Sequence, residues 1–219
     1  MPKHSRARSG RDLKRRPPQR GPFPRILIYC EGEKTERNYF EEIRILARLP
    51  SSRLLVRPHR SGTEPRQIVD DAEAEFLKGR AFEKIYAVFD RDQHRTYGEA
   101  IARAEALNGR YKNDERVTVS FEAIVSVPCF ELWLLLHFVD VTAPMLPAEA
   151  LVRLQQRLPT YDKGNADSYA ATKERLPAAS RRARALKAEN SRLPGTEAYT
   201  DVHELVEVLL RLRQGQTTG

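Results

Sequence analysis

Two apolar runs that each stop abruptly at an acidic residue constrain this chain more than any other feature. The first, residues 26–30, reads ILIYC and ends at Glu31; the second, residues 84–89, reads KIYAVF and ends at Asp90. A short uninterrupted apolar run bounded by turn residues fits a strand buried on both faces, as in parallel sheets. Gly32 follows Glu31, and then a helix start: Thr35 as its cap, with Tyr39, Phe40, Ile43, Leu46 and Ala47 at helical spacing through about Leu49. Glu31 therefore sits where a buried strand hands over to a helix, at the carboxyl edge of a sheet, where open α/β sheets place their sites.

The remaining chain alternates in the same way. Leu54-Leu55-Val56 reads as a second strand ending by Pro58, and Ser61-Gly62 as a turn. Thr63 caps a helix over about 65–78 with Pro65 just inside it. A helix over 96–107 closes at Asn108-Gly109, and residues 117–127 contain a fourth strand. Pro128 opens a helix over 129–139 that is apolar all round, so it is expected to be buried. Beyond it no strand is expected, only helices at about 147–158, 167–189 with a break at Pro177, and 200–213. Strands alternating with helices predict an α/β fold: a mainly parallel sheet flanked by helices, with a helical C-terminal part. The expected organisation is a basic tail (1–22), an α/β core (23–140), a helical region packed on that core (141–213) and a short tail (214–219).

Composition matters chiefly through where charge falls. The net charge of +8 is concentrated in residues 1–22, where eight Lys or Arg face only Asp12; the other 30 basic residues nearly balance 29 acidic ones. That tail, rich in Arg, Pro, Ser and Gly, is expected to be disordered alone and to lie on nucleic-acid phosphates, or else to serve as a solubilising or docking arm. No apolar run is long enough for a membrane span and no signal-peptide pattern is present. Cys30 and Cys129 lie in apolar runs without zinc spacing and read as buried reduced thiols, so a cytoplasmic location is expected. No phosphate-binding Gly-Lys loop, serine elbow or zinc-protease spacing occurs.

The second acidic stop continues as Asp90-Arg91-Asp92, and residues two apart in an extended chain point to one side. If the two strands are neighbours, Glu31, Asp90 and Asp92 gather at one edge, an arrangement that is unfavourable without a cation. Hard oxygen donors suit Mg²⁺ or Mn²⁺, which keep waters and bind substrate phosphate, and metal-assisted phosphodiester chemistry follows. The plainer reading has the aspartates shaping a loop and Glu31 capping a helix. Glu131, the single acid in the apolar run 127–138, is either a further site carboxylate or an acid favoured by the start of its helix. His137 reads as a satisfied core histidine. Glu36 in the first helical turn can point into the site, whereas Glu33 can equally face water. For phosphate contacts the candidates are Lys34, Lys163 in the polar Tyr161-Asp162-Lys163 loop, and a stripe that includes Arg181, Arg184 and Arg192. Surface solvation is the plainer account of each.

The Glu-Gly after one strand and the Asp-x-Asp after another resemble the Toprim domain of topoisomerases, bacterial primases and OLD-type nucleases. EGEKTE at 31–36, FDRD at 89–92, PCFELWLLLHF at 128–138 and VHELV at 202–206 together resemble the RloB family. That family commonly has Asn before this proline, where this chain has Val127, a change that removes no carboxylate. The resemblance implies a Toprim-like (Rossmann-like) fold and a Mg²⁺-dependent endonuclease in bacterial anti-phage defence, acting on DNA or RNA beside a partner ATPase. In it Glu31 would be a general acid/base or metal ligand, and Asp90 and Asp92 would hold the metal. The alternatives are a nucleic-acid-binding or effector-sensing subunit that cuts nothing itself, and a different phosphotransfer on a nucleotide. Homo-oligomer formation is left open.

Overall fold

The computed structural model describes residues 23–59, 64–91, 94–190 and 197–214. The turn at Ser61-Gly62, the Thr63 cap, Asp92, Arg192, the basic tail and the last five residues, all of which carry an expectation above, lie outside the described residues.

Five strands form one sheet: β1 (Ile26–Cys30), β2 (Leu54–Pro58), β3 (Lys84–Asp90), β4 (Ser120–Val127) and β5 (Tyr199–Thr200). Their order is β2-β1-β3-β4-β5; the first four are parallel and β5 runs antiparallel to the end of β4. Helices α1 (Thr35–Leu46), α2 (Pro65–Gly79) and α3 (Tyr97–Leu107) are the three crossovers. The chain steps outward from β1 to β2 and then back across to β3 and β4, so the sheet reverses its winding between β1 and β3. Crossovers of one hand then put α1 on one face and α2 and α3 on the other. The side chains agree. Ile26, Ile28, Cys30, Val56, Tyr86 and Val88 pack toward α1, whereas Leu27, Ile85, Ala87, Phe89 and Val125 pack toward α2 and α3. Burial on both faces is why β1 and β3 read as continuous apolar runs.

The helical C-terminal part covers the α1 face. It comprises α4 (Glu131–Leu135), α5 (Pro147–Arg157), α6 (Ser168–Thr172), a 3₁₀ turn (Lys173–Arg175), α7 (Leu176–Glu189) and α8 (Val202–Gln214). Val202, Leu205, Val206 and Leu209 of α8 are wholly buried in the same cluster as Ile26 and Ile28. Trp133, also wholly buried, satisfies its indole N–H by donating to the Tyr39 hydroxyl at 2.8 Å. Cys30 and Cys129 are free and buried, as expected. Among the described residues no helix is long and apolar enough to cross a membrane.

Several local expectations are corrected. A strand does exist beyond residue 128; β5 has only two residues, too short to carry a periodic signal. The apolar helix expected over 129–139 is α-helical only from Glu131 to Leu135, because its ends tighten into i→i+3 bonds such as Trp133 N–H to Phe130 O and Phe138 N–H to Leu135 O. Thr35 opens α1 from inside rather than capping it, and no side-chain cap bond forms there. The break near Pro177 falls one turn earlier, at the 3₁₀ segment, and Pro177 sits in the first turn of α7, where its missing N–H costs nothing.

Candidate functional site

The reversal of winding leaves a crevice at the carboxyl ends of β1 and β3. Cys30 pairs with Val88 across these strands, and the Glu31 N–H continues the ladder by donating to Val88 O at 2.9 Å. Glu31 and Asp90 are thereby neighbours: the Asp90 N–H donates to Glu31 Oε2 at 2.8 Å. This bond fixes the Glu31 carboxylate at the end of β3. Asp90 in turn accepts from the Phe130 N–H at 3.1 Å, which ties the entry to α4 onto β3 and brings Glu131 to the same crevice.

Glu36 is a fourth carboxylate there, on the first turn of α1 and only 6% exposed. Its room comes from Gly32, where a Cβ would lie 2.2 Å from Glu36 Oε2. Any side chain at that position would have to displace the carboxylate, so the glycine and Glu36 form one local device. Glu131, 3% exposed, accepts from the Tyr161 hydroxyl at 3.1 Å and lies 3.5 Å from Lys163 Nζ. Tyr161 and Lys163 come from the loop between α5 and α6. That loop is seated on α1 by Asn38 Nδ2 donating to Gly164 O at 2.8 Å, and by the Lys34 stem lying against Gly164. Gly164 has φ +92, and an added Cβ would meet the Lys34 side chain at 2.7 Å.

The carboxylates act on one another. Burial, and then the charges of Glu36, Glu31 and Glu131, push the Asp90 carboxyl well above its ordinary range, and the Phe130 N–H only partly offsets them. Burial first, with Glu131 adding to it, raises Glu36 to about 7, against the pull of its own backbone N–H and Lys163. Burial and Glu131 hold the Tyr161 phenol in its protonated, donating form. Without a cation the crevice therefore keeps protons that exposed carboxyls would have lost.

Of the residues expected at a site, Glu31, Asp90, Glu131 and Lys163 come together, and Glu36 lies beside them. Asp92 lies outside the described residues, and Glu33 is exposed. Lys34 is exposed and its stem packs under the Lys163 loop. Arg184 pairs with Glu207, Arg182 with Asp140 and Lys187 with Asp201 and Glu204, so much of the basic stripe is neutralised within the fold. Arg181 is exposed on α7. None of the main influences on Asp90 or Glu36 comes from Arg181 or Arg184. His137 is less satisfied than expected. Its Nδ1 contacts Trp133 O at 3.0 Å, but Nε2 has no hydrogen-bond partner among the described residues. Burial lowers its pKa to about 4, so the ring is neutral.

Two neighbours of the site escape sequence reasoning. His94 stands between Glu31 (Nε2 to Oε1, 3.5 Å) and Glu64 (Nδ1 to Oε1, 3.8 Å), and the Thr96 hydroxyl donates to Glu64 at 2.5 Å. A histidine four residues past Asp90 was the available signal for the first; nothing local marks Glu64, which arrives from the start of α2.

In donor type the crevice fits a hard divalent cation: carboxylate oxygens, mutually repulsive, with few opposing charges. Among the described residues, however, no three His, Cys, Asp or Glu side chains stand close enough to form a ready cage. Mg²⁺ needs no such cage, since it is commonly held by one or two carboxylates, waters and substrate phosphate.

The comparisons with known proteins bear on the chain as a whole. No curated protein and no solved structure matches it. A family model for RloB-like proteins matches residues 26–209, from the first strand into the last helix and across every carboxylate of the crevice. The chain belongs to the RloB-like family.

Proposed function

We propose that this chain is a divalent-metal-dependent nuclease of the Toprim type, hydrolysing phosphodiesters of DNA or RNA in anti-phage defence. The observation that carries this reading is the convergence of Glu31, Asp90, Glu36 and Glu131 at the reversal between β1 and β3, with Lys163 as their nearby lysine. Four carboxylates withdrawn from water repel one another, and a doubly charged cation is the simplest partner that offsets this repulsion.

Glu31 and Asp90 would hold Mg²⁺ or Mn²⁺, with Asp92 the further candidate two residues on. The chemistry such an ion supplies is polarisation of a phosphate and activation of a water. The chain's own residues do the rest. The Asp90 N–H keeps Glu31 from turning away, and the Phe130 N–H orients Asp90. Tyr161 holds Glu131 in place by its hydrogen bond. Lys163, its side chain 59% exposed, reaches from its loop toward the carboxylates and has the charge and access to meet a phosphate oxygen. Lys34, Arg181 and Arg184 are candidates for more distant backbone contacts. A partner ATPase, a homo-oligomer and a cytoplasmic setting belong to the same proposal.

The test is cleavage of single- and double-stranded DNA and RNA by the full-length protein with Mg²⁺, Mn²⁺ or EDTA, alone and with an ATPase encoded beside it. Cleavage that needs the metal and is lost in Asp90→Ala and Glu31→Gln is expected; cleavage unchanged by both substitutions would falsify the assigned site. The lack of a ready three-ligand cage among the described residues favours one second reading, a nucleic-acid-binding or effector-sensing subunit that cuts nothing itself. Under it, nucleic acid is bound in every condition and cut in none.

A further inference from the structure

The α2 face of the sheet is unevenly covered. α2 packs chiefly on β3 and less on β1, so the edge strand β2 lies at its margin. Tyr29 and Leu55 turn toward that face and pack only partly against its cluster. Alternation along β2 puts Arg57 on the same side as Leu55. There Tyr29, Arg57 and Pro58 from the strands, with Glu75 and Lys78 from α2, line a trough of about 250 Å³. That is just below the ~300–1,000 Å³ of small-molecule sites and far too small for a duplex.

Charge and shape in the trough point to one kind of ligand. Lys78 Nζ donates to Glu75 Oε2 at 2.6 Å, and Arg57 Nε lies 3.7 Å from Glu75 Oε1. One carboxylate shared by two exposed cations leaves positive charge in excess. Asp71, one turn back on α2, faces His59 instead, 3.0 Å from its Nδ1. His59 in turn stands edge-on to the Tyr29 ring, centroids 6.3 Å apart, and braces it. An aromatic ring beside an arginine and a lysine is a pairing that recognises a nucleotide: the ring takes a base by stacking, and the cations take phosphate. Position adds a second constraint. Tyr29 precedes Glu31 by two residues, about 7 Å at ~3.3 Å each, so the trough adjoins the carboxylate crevice. A nucleic-acid strand leaving the crevice past the end of β1 meets it next.

We propose that this trough holds one nucleotide of a single strand that continues from the crevice, its base against Tyr29 and its phosphate between Arg57 and Lys78. The strand itself rests on the nuclease reading; the trough adds that it is unpaired beside the crevice. The test uses the full-length protein and short single-stranded DNA and RNA oligonucleotides, with Ca²⁺ in place of Mg²⁺ so that binding is read apart from cleavage. Iodouracil placed along the strand is expected to photo-crosslink to Tyr29. Tyr29→Leu, which keeps an apolar side chain in the cluster, should weaken binding about tenfold, whereas Tyr29→Phe should bind as the unaltered protein does. Arg57→Gln/Lys78→Gln, on the exposed rim, should weaken it about as much and flatten its salt dependence. Unchanged affinity in either weakened variant, or crosslinks only elsewhere, would overturn the proposal. So would crosslinking at Tyr29 by a free iodouridine monophosphate and not by strands, which would make the trough an effector pocket. The two readings fail separately. Strands held through Tyr29 yet never cut in Mg²⁺ would remove the nuclease and leave the trough; metal-dependent cutting with unchanged kcat and KM in the variants would do the reverse.

Discussion

Glu36 shows what enclosure does to a single carboxyl group. Its ordinary value is 4.5 and in the fold it is raised to about 7, chiefly by burial and then by Glu131. Below the lower value the group is neutral whether the chain is folded or not. Between the two the unfolded chain releases a proton that the folded one retains, so metal-free stability falls as pH rises, and the loss is complete above the folded value, about 3 kcal/mol. Urea unfolding in EDTA should therefore give a lower midpoint at about pH 8 than at about pH 5, and Glu36→Gln should remove much of the difference. A wild-type midpoint that rises over this interval would contradict the enclosure. Asp90 is pushed the same way, so Asp90→Asn should raise the melting temperature of the metal-free protein while weakening the stabilisation that Mg²⁺ brings. Calorimetry with and without Mg²⁺ reads both effects.

Among the elements, the loop between α5 and α6 shows how a segment far along the chain completes a site begun by β1. Gly164 adopts φ +92 with the Lys34 stem against it, so Gly164→Ala meets both backbone strain and a steric clash. The cost should be about 1–3 kcal/mol in urea unfolding. Substrate affinity should fall with it, because Tyr161 and Lys163 ride on the same loop; a variant equally stable and equally tight would show that the loop adapts freely. This seating was not legible in the sequence, where Tyr161-Asp162-Lys163 is only a polar stretch. Elements with long periodic patterns were legible: α1, α2, α3, α5 and α8 fall within a few residues of expectation. The misses have two causes. β5 is set by its distant neighbour β4 and is too short to leave a period, whereas the ends of α4 tighten locally into i→i+3 turns, which an apolar pattern does not distinguish from α-helix.

At the scale of the whole molecule, the two acidic stops predicted a shared edge, but only the order β2-β1-β3-β4-β5 makes Glu31 and Asp90 adjacent. Spacing in a sequence carries no strand order, and Glu64 and His94 could join the crevice only once α2 and the loop after β3 were placed. The same long-range closure bears on the boundary expected near residue 140. Leu205 and Leu209 of α8 are wholly buried against the cluster that holds Ile26, Phe40 and Trp133, so the sheet's α1 face is completed from the far end of the chain. A fragment ending at Asp140 would leave that face in water, and each large apolar side chain so exposed forfeits about 1.5–3 kcal/mol. Such a fragment should therefore lack a cooperative unfolding transition, and Leu209→Ala in the full chain should cost about 2–5 kcal/mol. Urea titration followed by far-UV circular dichroism and by Trp133 fluorescence decides the matter. One coincident transition in the full chain, with none in the fragment, is the expected result; a fragment that unfolds cooperatively would make residues 23–140 an independent unit.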